Sequence, residues 1–161
     1  MRFLALILLA ACASAPVPGR FESPIVAYPL NESTLDRDDV ASAFDALLRK
    51  SAYGQPGEER AGFLVIDGGR FHLEMWPPSH QFHAEEWHGR VPNGTVAVIH
   101  THPPAQPMPS PHDCAEARRI SIPILVVTPA SVALATEDGQ MRRLKLGMTG
   151  GGRRVAYTDR R

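Results

Sequence analysis

Two histidines and an aspartate in one short stretch, His100, His102 and Asp113, are the residues best suited to chemistry. If a strand ends at the histidines, both imidazoles point to the same side, because side chains alternate along a strand. Imidazoles and carboxylates are typical zinc ligands, and a catalytic zinc site combines three protein ligands with one position for water. A zinc ion lowers the pKa of such a water, so the stretch predicts a hydrolytic zinc centre.

A hydrolytic centre also needs a side chain that moves a proton without being a metal ligand. Glu58 and Glu59 precede a predicted strand that begins near Ala61, and both are candidates. A shift of one residue along a strand exchanges its faces, so only one of the two carboxylates can serve.

Ser110 and Asp113 also have a structural interpretation. Ser-Pro-x-Asp is the pattern of a helix start, with Ser110 as N-cap, Pro111 in the first position and Asp113 completing a capping box. The capping role and the metal role are compatible. Cys114 could add a thiolate ligand, but a fourth protein ligand would close the site to water, so we expect it to pack in the interior.

Three further histidines, His80, His83 and His88, lie in a stretch without clear periodicity. His83 and His88 suggest a zinc-binding helix, but they are five residues apart. That spacing places them about 140° apart around a helix. We therefore expect a loop that lines a cleft, where Trp76 and Trp87 either touch substrate or pack.

Hydrophobic periodicity predicts the elements that position these residues. We expect a helix from the acidic residues at 36–39 to before Gly54, a hairpin at 61–76, a strand at 95–100, a helix at about 111–120, a strand at 122–127 and a hairpin at 131–146. This order is typical of a single α/β domain with a mixed sheet flanked by helices.

Length and charge restrict the possible functions. The chain has 161 residues, which suggests one domain. It carries 17 basic and 17 acidic side chains, so its formal net charge is zero. That balance argues against binding of nucleic acid through overall charge. No apolar run has the length of a permanent membrane span.

The N-terminus has the features of a secretory signal over residues 1–11: one basic residue, a short apolar run and small residues. Leu9-Ala10-Ala11-Cys12 resembles the lipobox of bacterial lipoproteins, whose cysteine becomes the acylated N-terminus. The resemblance implies lipidation of Cys12 and a lipid anchor in the bacterial cell envelope. Ordinary cleavage after Ala13-Ser14-Ala15 is the alternative.

Composition also predicts the ends of the domain. Residues 12–35 are rich in proline and polar side chains and are expected to form a tether. Residues 36–146 are expected to form the folded domain. Residues 147–161 are expected to form a flexible basic tail, which is either solvated or attracted to an anionic surface.

The stretch Glu59-Arg60-Ala61-Gly62-Phe63-Leu64-Val65, followed by His100-Thr101-His102-Pro103 and by Ser110-x-x-Asp113, resembles the JAMM (JAB/MPN) metallopeptidase family in its prokaryotic branch. The resemblance covers roughly residues 38–138. Arg60 departs from the family pattern, which often has an apolar residue there. The family's E-x-x-G spacing selects Glu59, whereas its frequent P-x-E pattern would select Glu58.

The resemblance implies a zinc ion held by His100, His102 and Asp113 with one water. It implies that Glu59 is the general acid and base and that Ser110 donates a hydrogen bond to the oxyanion of the tetrahedral intermediate. It also implies a curved mixed sheet flanked by helices, and hydrolysis of a peptide or isopeptide bond.

Together these features predict a zinc metallopeptidase anchored in the bacterial envelope. Its expected partners are a peptide or isopeptide substrate, such as peptidoglycan stem peptides, and a membrane, with no nucleic acid. A non-catalytic binding module on the same scaffold is the alternative. All the ligand positions are occupied by suitable residues, which favours the enzyme.

Overall fold

A computed structural model describes residues 25–54, 59–78, 87 and 89–146 of the chain. The elements in these ranges are, in order, α1 (Glu32–Leu35), α2 (Asp38–Lys50), β1 (Ala61–Asp67), β2 (Arg70–Met75), β3 (Thr95–Thr101), α3 (Pro111–Ile120), β4 (Ile124–Val127), β5 (Ser131–Ala135) and β6 (Met141–Leu146). The predicted sequence of helices and strands is confirmed, and α1 is an addition to it.

The described strands form one six-stranded sheet in the order β2-β1-β3-β4-β5-β6. β3 and β4 are parallel, and the other neighbouring strands are antiparallel. Parallel neighbours need a crossover connection, and α3 lies within the connection from β3 to β4. The predicted single α/β domain with a mixed sheet flanked by helices is therefore confirmed.

Helix α2 covers one face of the sheet. Its apolar stripe is buried, and it packs in one core cluster with residues of β1, β3 and β4; the stripe consists of Val40, Ala43, Phe44, Leu47 and Leu48. Acidic residues in its first turn and basic residues in its last turn match the charges that a helix dipole favours at each end.

Helix α3 belongs to a second core cluster, in which Cys114 and Ala117 pack with Phe63 of β1 and Val98 of β3. Cys114 is a buried free thiol, as expected for a packing residue. Burial raises its pKa, so the thiol stays protonated and unreactive at neutral pH.

The segment 25–35 differs from the predicted tether, because it is packed against the domain. Leu30 and Leu35 are only 7% and 1% exposed. The Tyr28 ring meets Phe71 of β2 edge to face, with ring centroids 5.0 Å apart. Asn31 caps α1 by accepting a 3.1 Å hydrogen bond from the backbone N–H of Thr34. The proline-rich composition predicts a tether, but the buried apolar side chains of this segment attach it to the core.

Residues 1–24, with Cys12, and residues 147–161 lie outside the described residues, and their predicted roles stay predictions. Within the described part of the chain, no helix combines the length and the apolar character needed to span a bilayer.

Candidate metal centre

The end of β3 carries both histidines. His100 is the penultimate residue of β3, and His102 follows the last one. The two ring centroids are 4.7 Å apart, and the ring planes meet at 85°. The strand end thus brings the two imidazoles together.

The first turn of α3 brings Asp113 to the same point. Its Oδ1 lies 3.2 Å from Nε2 of His100, and its Oδ2 lies 3.6 Å from Nε2 of His102. Asp113 and His102 are each 7% exposed, so these atoms face one another away from bulk water. The three residues predicted as metal ligands therefore converge in the structure.

Ser110 holds Asp113 through the predicted capping box. The Ser110 backbone N–H and hydroxyl donate to Asp113 Oδ2 at 2.6 and 2.7 Å. The Asp113 backbone N–H donates back to Ser110 Oγ at 3.1 Å. The structure directs the Ser110 hydroxyl proton to Asp113, so donation to an oxyanion would require this hydrogen bond to open.

The protonation of His102 is set by a backbone carbonyl. Nδ1 of His102 lies 3.0 Å from the carbonyl oxygen of Gln106. A carbonyl oxygen only accepts, so Nδ1 carries the proton and Nε2 keeps a lone pair directed toward Asp113. A histidine that ligates a metal ion needs this arrangement.

Nε2 of His100 is buried and, among the described residues, has no hydrogen-bond partner, although Asp113 Oδ1 is 3.2 Å away. A buried polar atom without a partner destabilises a fold unless another group satisfies it. A cation between His100, His102 and Asp113 would satisfy this atom, so the donor set fits a metal ion.

The titration behaviour of the centre agrees with this interpretation. Burial lowers the pKa of His102, and the neighbouring His100 lowers it further. Burial opposes ionisation of Asp113, but its contacts with His100 and Ser110 outweigh burial and hold the pKa well below the usual range. A neutral imidazole and an ionised carboxylate are the forms that bind metal ions.

Glu59 reaches the centre from the segment before β1. One carboxylate oxygen of Glu59 and one ring nitrogen each of His100 and His102 lie within 4.8 Å of one another, a group that could hold a metal ion. The antiparallel register explains this proximity, because Ala61 is opposite His100. The group contains Glu59 where the predicted ligand set has Asp113, so Glu59 is placed either to ligate the metal or to act beside it. Glu58 lies outside the described residues.

Trp76 and Trp87 pack against Phe63, with ring centroids 5.3 and 5.2 Å from it. Packing is one of the two roles expected of them. Of the three residues only Phe63 lies on a strand, in β1 and two residues from Ala61, which pairs with His100. The three histidines of the expected loop, His80, His83 and His88, lie outside the described residues.

Gly54 is a further residue that supports the centre, and its residue type does not reveal this role. The turn after α2 has three consecutive left-handed residues, Ala52 (φ 48°), Tyr53 (φ 60°) and Gly54 (φ 75°). A Cβ atom on Gly54 would lie 2.7 Å from the carbonyl oxygen of His102. The glycine thus lets this turn approach the backbone of a candidate ligand. Its only signal in the sequence is that of an ordinary turn.

A sequence model for a family described as prokaryotic homologs of the JAB domain matches residues 40–146. The match extends from within α2 to the end of β6 and contains Glu59, both histidines and Asp113. Comparisons with curated proteins and with solved structures give no significant match.

Proposed function

Because the chain belongs to the family of prokaryotic JAB-domain homologs, we propose that it is a zinc metallopeptidase that hydrolyses a peptide or isopeptide bond. The family includes hydrolases, and the described residues contain a group that could hold a metal ion. The observation that carries the proposal is the buried Nε2 of His100, which faces a carboxylate oxygen without a hydrogen bond.

In this proposal His100, His102 and Asp113 hold the zinc ion. When bound, zinc supplies Lewis-acid chemistry, which polarises a carbonyl and lowers the pKa of water. Glu59 accepts the proton of the attacking water and delivers it to the leaving amine. Ser110 orients Asp113, and its predicted hydrogen bond to the oxyanion is part of the proposal.

The test is release of primary amines by the zinc-loaded full-length chain from crosslinked peptidoglycan peptides and from a lysine isopeptide. We expect Glu59→Gln to lower the rate by about 10²–10⁴-fold, the usual contribution of a general base, with zinc content retained. Glu74→Gln, at an exposed position of β2, is the matched control and should leave the rate unchanged.

Each other outcome has a definite meaning. Loss of zinc in Glu59→Gln would make Glu59 a ligand instead of a proton carrier. A full rate in Glu59→Gln would remove Glu59 from the mechanism. A zinc-loaded wild type that cleaves neither substrate, and instead binds one of them, would favour the non-catalytic module.

We also propose that the enzyme is anchored in the bacterial envelope through Cys12. The support is the signal-like sequence of residues 1–11 and the lipobox resemblance. Acyl chains provide membrane affinity in proportion to the CH₂ groups that they bury, and more than one chain makes the anchor stable. In bacteria fed labelled palmitate, Cys12→Ser should lose the label, whereas Cys114→Ser, at a buried thiol, should keep it. Equal labelling of both variants would exclude the anchor.

A further inference from the structure

Thr101, the residue between the two histidines, has no part in the proposed chemistry, yet it is 0% exposed at the end of β3. Side chains alternate along a strand, so Thr101 faces away from the side of His100. A hydroxyl buried on that face destabilises the fold unless it forms a hydrogen bond. Its hydrogen-bond partner therefore indicates what the residue does.

The partner of the Thr101 hydroxyl is Arg60, which directly follows Glu59. The backbone N–H of Arg60 donates to Thr101 Oγ1 at 3.1 Å. The backbone N–H of Thr101 donates to the Arg60 carbonyl at 3.0 Å. In a regular antiparallel pair both acceptors are backbone carbonyls. Here the hydroxyl takes the place of one of them, where the chain leaves β3 toward His102.

The peptide group between Glu59 and Arg60 is consequently held at both polar ends. Its N–H bonds to the Thr101 hydroxyl, and its carbonyl oxygen accepts from the Arg60 guanidinium at 2.9 Å. Glu59 lies two residues before β1 begins. These contacts therefore fix the backbone of Glu59, although it lies before the start of β1.

We infer that Thr101 is a positioning residue whose hydroxyl sets the place of the Glu59 carboxylate relative to His100 and His102. The inference rests on the proposed function, in which Glu59 moves the proton. Thr101 lies between the two histidines, and its hydroxyl accepts the hydrogen bond of the peptide N–H that follows Glu59. A displacement of a catalytic group by about 1 Å can lower a rate by about 10²-fold. Even a small shift of the Glu59 carboxylate after loss of this hydrogen bond would therefore be measurable.

Three variants of the full-length chain test the inference. Thr101→Val keeps the shape of the side chain and removes the acceptor, whereas Thr101→Ser restores the hydroxyl. Thr95→Val is the matched control: Thr95 is also 0% exposed, at the other end of β3, and its hydroxyl donates to the Pro92 carbonyl at 2.8 Å. The two threonines are about 20 Å apart along the strand.

The first measurement does not depend on activity. Amide hydrogen exchange of Arg60, followed by NMR in metal-free protein, should be at least about 10-fold faster in Thr101→Val than in Thr95→Val, because its acceptor is gone. Thr101→Ser should exchange at about the wild-type rate. Equal exchange in Thr101→Val and Thr95→Val would overturn the inference.

The second measurement is amine release by zinc-loaded protein. Thr101→Val should lower kcat by about 10–100-fold with KM and zinc content nearly unchanged, since only the proton carrier is displaced. Thr101→Ser should recover most of the rate, and Thr95→Val should keep it. Loss of zinc in Thr101→Val, or a kcat equal to that of Thr95→Val, would overturn the inference. If even the wild type releases no amine, the proposed function fails, and the exchange of Arg60 still decides whether the hydroxyl holds this peptide.

Discussion

Asp113 and His102 each have a structural partner as well as a place at the proposed metal. Asp113 completes the start of α3 and faces two imidazoles, and His102 is fixed by the Gln106 carbonyl. Partners of this kind hold a metal ligand in one orientation and state of protonation before the metal arrives.

A substitution of Ser110 tests whether one side chain both caps α3 and orients Asp113. Ser110→Ala removes a hydroxyl that donates to Asp113 Oδ2 and accepts from the Asp113 N–H. We expect a loss of about 1 kcal/mol in unfolding free energy, measured with urea, from the missing helix cap. We also expect zinc affinity to fall by about 10–100-fold in competition with a chelator, because Asp113 is no longer oriented.

Asn31→Ala is the control for Ser110→Ala, because Asn31 caps α1 and has no described contact with the centre. It should lower stability and leave zinc affinity unchanged. Normal zinc affinity in Ser110→Ala would show that Ser110 caps the helix but does not support metal binding.

The candidate ligands could be predicted because residue type and spacing carry the signal. Histidine and aspartate are residue types that commonly ligate metals, and His100, His102 and Asp113 follow a strand-loop-helix pattern. The contacts that orient these side chains cannot be recognised in the sequence. The carbonyl of Gln106 and the backbone N–H of Arg60 belong to the main chain, so residue type does not reveal them.

At the scale of elements, the centre forms where the end of β3, the start of α3 and the segment before β1 meet. The turn after α2 supports this junction, because Gly54 lies against the carbonyl of His102. Strand register and helix capping thus determine the site as much as its ligands do.

Gly54→Ala tests the role of that turn. An added Cβ costs about 1–2 kcal/mol in the left-handed conformation and would also collide with the His102 carbonyl. Gly68→Ala is the matched control, because Gly68 has φ +54° and nothing within 4 Å of an added Cβ. Both variants should lose stability in urea, but only Gly54→Ala should bind zinc more weakly. Equal zinc affinity in the two variants would contradict a supporting role for the turn.

Periodicity predicted most elements well, and the reason is visible in α2 and β1. The stripe of α2 and the apolar run of β1 are both buried, so their patterns reflect the core directly. Periodicity does not predict helix α1, because it has only 4 residues, too few to show a period.

At the scale of the whole molecule, one sheet separates two apolar cores, one containing α2 and the other α3. The sequence predicted this α/β architecture but placed the start of the folded domain too late. Prolines in residues 12–35 indicated a tether, whereas the isolated residues Leu30 and Leu35 complete the core on the α2 side.

Leu35→Ala tests that boundary. Leu35 is 1% exposed, so the substitution should leave a cavity and lower the unfolding free energy by about 2–5 kcal/mol in urea. Val26→Ala is the control in the same segment, because Val26 is 37% exposed, and it should change stability by less than about 0.5 kcal/mol. If Leu35→Ala is as stable as Val26→Ala, residues 25–35 do not contribute to the core, and the predicted tether would be correct for this segment.

The proposed function depends most on a metal ion at the meeting point of β3 and α3. Its most direct test is the zinc content of the purified full-length chain, wild type against His102→Ala, with His72→Ala on β2 as the control histidine. We predict about one zinc ion per chain in wild type and His72→Ala, as a single site requires, and little or none in His102→Ala. A wild-type chain without zinc or affinity for it, or a His102→Ala chain that binds zinc as the wild type does, would contradict the proposed metal centre.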